Sequence, residues 1–238
     1  MELIVKDLEK HFGKKEVLKG ACYTFRRGSI YGLLGRNGAG KTTFFNCLSA
    51  EFPPDRGTVL LRRGGQERPL AQGDVSYVLS TPVVPEFLTG YEFVKFFTEI
   101  TGDKSGRTPD EYLSLVGIDR EDRHRLMRGY SHGMKNKMQM LCFLIAQPPV
   151  ILLDEPLTSF DVVAALEMKN LLREMKDEHI IIFSTHILQL AADLCDDIVV
   201  LSHGVLEEVD RSLSHTPEFA ARIIELLRDE PAAGEAQA

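Results

Sequence analysis

Between the apolar run Ile30–Leu34 and a helical run from about Lys41 to Ala50 stands Gly35-Arg36-Asn37-Gly38-Ala39-Gly40-Lys41-Thr42, which satisfies the pattern GxxxxGK[ST]. Few features restrict a fold so tightly, because such a loop works only between a strand and the start of a helix. Its glycines let the backbone turn until successive N–H groups point into one concavity, which suits phosphate oxygens. Lys41 then reaches the β- and γ-phosphates of a nucleoside triphosphate, and the Thr42 hydroxyl ligates Mg²⁺. Average residue frequencies give a chance match in a chain this long odds of roughly 1%. The stretch is a nucleoside-triphosphate site.

The rest of the chain supplies the context. Leu3–Val5, Ala21–Phe25, Gly57–Arg62 and Val75–Leu79 are short β-prone runs, with Gly13 and Gly28 at turns. From Pro85 to Gln147 the apolar period changes from two to about 3.6. Tyr91, Phe93, Val94, Phe97 and Ile100 share one helical face. Met134, Met138, Leu141, Cys142 and Ile145 share another, with Ser131 as N-cap and Pro148 as the stop. Alternation then resumes. The runs at 150–153 and 180–183 are continuously apolar, as in buried parallel strands, and helices at 162–175 and 187–194 follow them. Strands at 198–201 and 205–209 flank His203-Gly204. A helix near 217–228 and a disordered PAAGEAQA tail end the chain. The pattern predicts an α/β core with an all-helical insertion from about 85 to 147.

Charge and composition exclude several classes. With 28 Lys plus Arg against 35 Asp plus Glu, the net charge of −7 argues against nucleic acid as a partner held by bulk positive charge. Cys22, Cys47, Cys142 and Cys195 form no CxxC pair, so a zinc site or a stapled secreted fold is not expected and a reducing cytosol is. The start, MELIVKDLEK, is not a signal peptide, and the most apolar long window, 138–153, is broken by Gln139, Gln147, Pro148 and Pro149. A soluble chain is predicted.

Two further elements belong with the phosphate loop. The apolar run 150–153 ends in Asp154-Glu155-Pro156, which sets two carboxylates at the carboxyl edge of the sheet, where open α/β folds bind ligands. Asp154 is the expected metal-side carboxylate and Glu155 the one that polarises a water for attack on the γ-phosphate. Ser184-Thr185-His186 ends the next apolar strand. His186 is either a capping residue there or a partner of the γ-phosphate that holds the attacking water in line.

The order of these elements resembles the nucleotide-binding domain of an ATP-binding cassette (ABC) transporter over roughly residues 1 to 215, with 216–238 as a short C-terminal helix and tail. The resemblance implies a P-loop NTPase (RecA-like) α/β core with an antiparallel β subdomain and an all-helical insertion. It implies ATP and Mg²⁺ as ligands, with Gly35 to Thr42 and Thr43 around the phosphates. Tyr130-Ser131-His132-Gly133-Met134 stands where that family carries its LSGGQ signature, keeping the serine and second glycine but losing the first glycine and the glutamine. Ser131, His132, Gly133 and Met134 are thereby expected to face the ATP of another subunit in a head-to-tail homodimer or a paired ATPase. A serine at a positive helix end suits an anion. Asp161, in Ser159-Phe160-Asp161, matches the loop that crosses the dimer interface. Phe12, expected in the loop after the first strand, matches the aromatic that stacks on adenine, although ordinary packing explains a phenylalanine there equally well.

One departure stands out. The family places a glutamine at the Mg²⁺ and the attacking water after the strand that here ends Tyr77-Val78-Leu79, and this chain has Ser80. The apolar stretch 82–88 corresponds to the groove that receives a membrane subunit's coupling helix, or else packs over the core. The basic clusters 123–128 and 135–137 read as solvated faces. The resemblance implies an ATP-hydrolysing subunit of a membrane transporter, cytoplasmic and peripheral at the inner face of the membrane, with an integral-membrane permease on a separate chain. The Tyr-Ser-x-Gly-Met form is similar to that of bacterial exporters. The alternatives are a nucleotide-gated regulatory subunit with weak hydrolysis and a soluble non-transport ATPase of the same family.

Overall fold

The computed structural model describes residues 1–103, 105–156, 162–209 and 217–227. Two sheets carry the fold. The first is antiparallel: β1 (Glu2–Phe12) and β2 (Lys15–Arg26) form a hairpin, and β4 (Arg56–Arg63) and β5 (Gln66–Pro69) extend it in the order β2-β1-β4-β5. The second contains β3 (Ile30–Leu34), β6 (Val75–Val78), β7 (Val150–Asp154), β8 (Ile180–Thr185), β9 (Asp197–Ser202) and β10 (Val205–Val209), in the order β10-β9-β3-β8-β7-β6. Its strands are parallel except β10, which turns back antiparallel on β9.

The central strands are continuously apolar because both faces of this sheet are covered. Ile30, Ile151, Leu153, Ile181 and Phe183 point to one core, shared with the helices that follow β6 and β7. Their alternates Tyr31, Leu33, Leu152, Ile180 and Ile182 point to a second core, closed by Phe44, Phe45 and the antiparallel sheet. The period of two thus sorts one set of strands between two hydrophobic layers. Phe183 is fully buried, and its truncation to alanine would cost about 3–5 kcal/mol.

The helices are α1 (Lys41–Leu48), α2 (Gly90–Thr101), α3 (Pro109–Leu115), α4 (His132–Ala146), α5 (Val162–Met175), α6 (Leu188–Leu194) and α7 (Pro217–Leu227). Helices α2, α3 and α4 lie between β6 and β7, and among the described residues of that stretch no strand forms beyond an isolated bridge from Thr89 to Leu126. Capping boxes start two of these helices: Thr89 with Glu92, and Thr108 with Glu111 behind Pro109. Ser131 caps α4, its hydroxyl accepting from the Met134 amide at 3.2 Å. The helix stops at Gln147, which takes a left-handed φ of 48° and returns its N–H to Phe143, so the stop comes one residue before Pro148.

The basic cluster at 123–128 is not uniformly a solvated face. Arg123 is buried, donating to Asp110 Oδ1 at 2.7 Å, the Ser114 hydroxyl at 2.7 Å and the Ile118 carbonyl at 3.2 Å. A guanidinium with all these acceptors tolerates burial and ties α3 to the loop behind it. The expected C-terminal tail lies outside the described residues.

Candidate functional site

The phosphate loop turns between β3 and α1. Gly38 and Gly40 adopt φ of 83° and 105°, in the region that side chains rarely enter. At Gly40 a Cβ would also stand 2.7 Å from Val17 Cγ1. Gly40 gives α1 no side-chain cap, and the first turn holds no acidic residue. The first amides of α1 are therefore satisfied by no local carboxylate, which suits an anion at that end.

Lys41 opens α1 with 7% of its surface exposed. Its ammonium donates to the carbonyls of Gly35 at 2.8 Å and Arg36 at 3.3 Å. Burial lowers its pKa, and the charges of Glu155 and Asp154 act in the opposite direction. Thr42, next on the helix, donates its hydroxyl to Asp154 Oδ2 at 3.1 Å.

Asp154 ends β7 almost fully buried, and hydroxyls surround it. Besides Thr42, Tyr77 from β6 donates to Oδ2 at 3.3 Å and Ser184 from β8 donates to Oδ1. Burial first, and then the Asp154 charge, raise the Tyr77 pKa, so its phenol remains a donor. Three elements thus orient one carboxylate. Glu155 follows in a left-handed conformation with φ 48°, held by its own N–H, which reaches the Ser184 carbonyl and hydroxyl at 3.2 Å. Such backbone costs about 1–2 kcal/mol for a residue with a Cβ. It turns the side chain to meet His186, whose Nδ1 lies 2.8 Å from Oε1.

These groups line one cavity of about 490 Å³. Lys41, Thr42, Thr43, Asp154 and Glu155 form its inner end, with Asn37, Gly38 and Gly40 along the loop. Ser80 lines it from the segment after β6. Phe12, half exposed, lines it from the other direction with Lys15 and Val17. Phe12 is the last residue of β1, paired with Lys15, rather than part of a loop, and its ring stands edge-on to Phe52 with centroids 5.7 Å apart. Gly35 is buried behind the loop, and Arg36 and Ala39 line an adjoining cavity of about 300 Å³ with Ser202 and His203.

The expected signature residues lie elsewhere. Ser131 and His132 are exposed, and Gly133 and Met134 half-buried, at the start of α4, and none of them lines the cavity. Asp161, with Ser159 and Phe160, lies outside the described residues. Sequence reasoning missed Lys15, Val17, Tyr77 and Ser184. The last two carry a signal in hindsight: each is a hydroxyl on a strand that must flank the one ending in Asp154.

The donor set at the inner end is all oxygen. Among the described residues, no group of three or more His, Cys, Asp or Glu side chains could hold a metal alone. A threonine hydroxyl and one carboxylate 3.1 Å apart fit Mg²⁺, which takes one or two protein oxygens and completes its shell with phosphates and waters.

Residues 18–158 match the family model described as ABC transporter. The bacitracin transport ATP-binding protein BcrA of Enterococcus faecalis is 32% identical over 223 residues, covering 90% of this chain and 72% of that protein. The ABC transporter ATP-binding protein YxlF of Bacillus subtilis (strain 168) is 30% identical over 205 residues, covering 85% of this chain and 68% of its own length. Among solved structures, an ATP binding subunit of an ABC transporter superposes with a TM-score of 0.79 at 26% identity, covering 94% of this chain and all of that one. A bacterial Atm1-family ABC exporter with ATP bound shares the fold, with a TM-score of 0.78 at 20% identity over 97% of this chain and 42% of the exporter.

Proposed function

The chain belongs to the ABC transporter family as an ATP-binding subunit whose ATP hydrolysis drives transport, and from that premise we propose which residues do the work, and for what kind of transporter. The observation that carries the proposal is the convergence of Lys41, Thr42, Asp154 and Glu155 on one cavity beneath the start of α1. We read residues 1–215 as one nucleotide-binding domain whose helical part spans about 85–147, followed by a short C-terminal segment.

The triphosphate lies along the loop, its oxygens taking the N–H groups from Gly35 to Thr43. Lys41 exchanges the carbonyls of Gly35 and Arg36 for β- and γ-phosphate oxygens, a charge-assisted contact in place of a neutral one. Thr42 and Asp154 would hold Mg²⁺, which when bound would supply positive charge against the triphosphate. Glu155 takes the proton of the attacking water. His186, with Nδ1 on Glu155, fixes that carboxylate and keeps Nε2 for the γ-phosphate. Phe12 offers the adenine a ring face.

A second ATPase subunit completes the site. Ser131 accepts from the Met134 amide, which leaves its hydroxyl proton free to donate to a phosphate oxygen. Together with the start of α4, Ser131 to Met134 cover the γ-phosphate of the opposite subunit, and we assign Asp161, which is outside the described residues, to that interface on the family pattern alone. No helix among the described residues is long and apolar enough to cross a membrane. We assign the membrane-spanning part to a permease on a separate chain, with this subunit at the cytoplasmic face. Val83 and Phe87, 69% and 78% exposed, offer that permease an apolar foothold. The Tyr-Ser-x-Gly-Met form of residues 130–134 favours export. Ser80, in place of the family's glutamine, favours slow basal hydrolysis and keeps a regulatory subunit as the second reading.

The test is binding of a fluorescent ATP analogue with Mg²⁺. Lys41→Ala removes the charge on the phosphates and abolishes binding. Undiminished affinity in the variant overturns the site.

A further inference from the structure

Gln139 sits on α4 between Met138 and Met140, 8% exposed, at a place where an apolar side chain would pack at no polar cost. A buried carboxamide is expensive unless both ends are bonded. One orientation bonds both: Nε2 donates to the Leu79 carbonyl at 3.2 Å, and Oε1 accepts from the Val83 amide at 2.9 Å. Neither backbone group belongs to the sheet, since β6 ends at Val78. The Gln139 side chain therefore closes an arch of chain from Leu79 to Val83. Ser80 is on that arch and lines the nucleotide cavity, whereas Val83, at its far end, is 69% exposed.

We propose that Gln139 is a positioning residue for ATP hydrolysis, whose two hydrogen bonds fix the arch and with it the place of Ser80 opposite Asp154 and Glu155. The proposal rests on the reading of this cavity as the hydrolytic site. Pro82 stiffens the arch from within, so a change at either bonded end moves Ser80 rather than being absorbed between them. The signature helix and the Ser80 segment are thereby one mechanical unit.

Two variants of the full chain test it. Gln139→Met keeps length and volume and removes both bonds. Gln139→Glu keeps an acceptor for Val83 but sets an oxygen against the Leu79 carbonyl. In hydrogen–deuterium exchange without nucleotide, both variants should speed exchange in residues 79–84 by about tenfold and leave the rest of α4 unchanged. In turnover, both should raise the half-saturating Mg²⁺ concentration about three- to tenfold, with nucleotide affinity in EDTA within twofold of the parent. Unchanged exchange in 79–84 overturns the proposal. So does exchange that rises throughout α2 to α4, which would make Gln139 a general packing residue. Local loosening with an unaltered Mg²⁺ requirement overturns it as well. A parent chain that shows the expected protection but binds no ATP would overturn the site reading and not the clamp.

Discussion

Nδ1 of His186 and Oε1 of Glu155 stand 2.8 Å apart, each one residue beyond the end of its strand, β8 and β7, which lie side by side in the sheet. The bond exists because Glu155 adopts a left-handed backbone that the Ser184 carbonyl and hydroxyl hold in place. A strained residue fixed by its neighbours is an arrangement found at functional sites. Here it brings a base candidate against a histidine able to steer it.

Glu155→Gln should slow ATP turnover by about 10²–10⁴, the usual worth of a general base, with nucleotide affinity unchanged. The amide is isosteric and still bonds His186, so the loss is one of proton acceptance and not of geometry. With hydrolysis stalled, ATP should hold two copies together, and size-exclusion runs with and without ATP report it. Full turnover in the variant removes Glu155 from the mechanism.

Phe12→Ala separates stacking from packing. If adenine rests on this ring, affinity for ATP falls between about fivefold and a hundredfold, as base–aromatic stacking is worth roughly 1–3 kcal/mol. Affinity for tripolyphosphate, which has no base, stays level. Equal losses for both ligands would mean that the Phe12–Phe52 contact only shapes the mouth of the cavity.

The strands around the site were legible in the sequence because both faces of the central sheet are buried, which writes them as unbroken apolar runs at 150–153 and 180–183. The phosphate loop and Asp154-Glu155 were legible because their chemistry is local. β5 was not, since its four residues are all exposed and form a strand only by pairing with β4. The start of α3 was available in Thr108-Pro109-Asp110-Glu111, an N-cap, a proline and a capping-box glutamate in order, but its short apolar stripe hid it. Tyr77, Ser184 and Gln139 were hidden for another reason. Each acts on a group distant in sequence, and only strand order or helix packing shows which.

Asp74 gives the fold an acid limit. Its carboxylate takes both Arg68 guanidinium nitrogens, at 2.5 and 2.8 Å, and the Ala71 amide at 2.6 Å, joining β5 to the turn that leads into β6. The Arg68 bond is the main reason its pKa lies below the ordinary value. The unfolded chain therefore binds the proton more readily than the native one. The stabilisation is complete above about pH 5 and disappears as pH falls through 4 toward the native pKa. Asp74→Asn should lower the melting temperature at pH 7 by on the order of 3 °C, with the gap narrowing as pH falls below about 5. Melting curves that stay parallel across that range would show that the charge is not what Asp74 contributes.

On the proposed reading of the site, Ser80 sets how fast the isolated subunit runs. It lines the cavity with Asp154 and Glu155, but its hydroxyl ends about two bonds short of where a glutamine amide would reach. The arch that carries it cannot close the distance easily, because Pro82 fixes its own φ, biases Thr81 toward extended backbone, and Gln139 holds both ends. Basal hydrolysis should therefore be slow, and Ser80→Gln should raise kcat several-fold at saturating Mg²⁺-ATP without a membrane partner. The substitution adds a carboxamide to an exposed position on the cavity side, so folding is not at stake. If the two forms turn over equally, a missing metal-side contact is not what limits the rate, and the regulatory reading loses its support. If the glutamine form is faster, a partner pressing on Val83 has a rate to gain by moving the arch inward, and the same assay with permease present should show the serine form gaining more than the glutamine form.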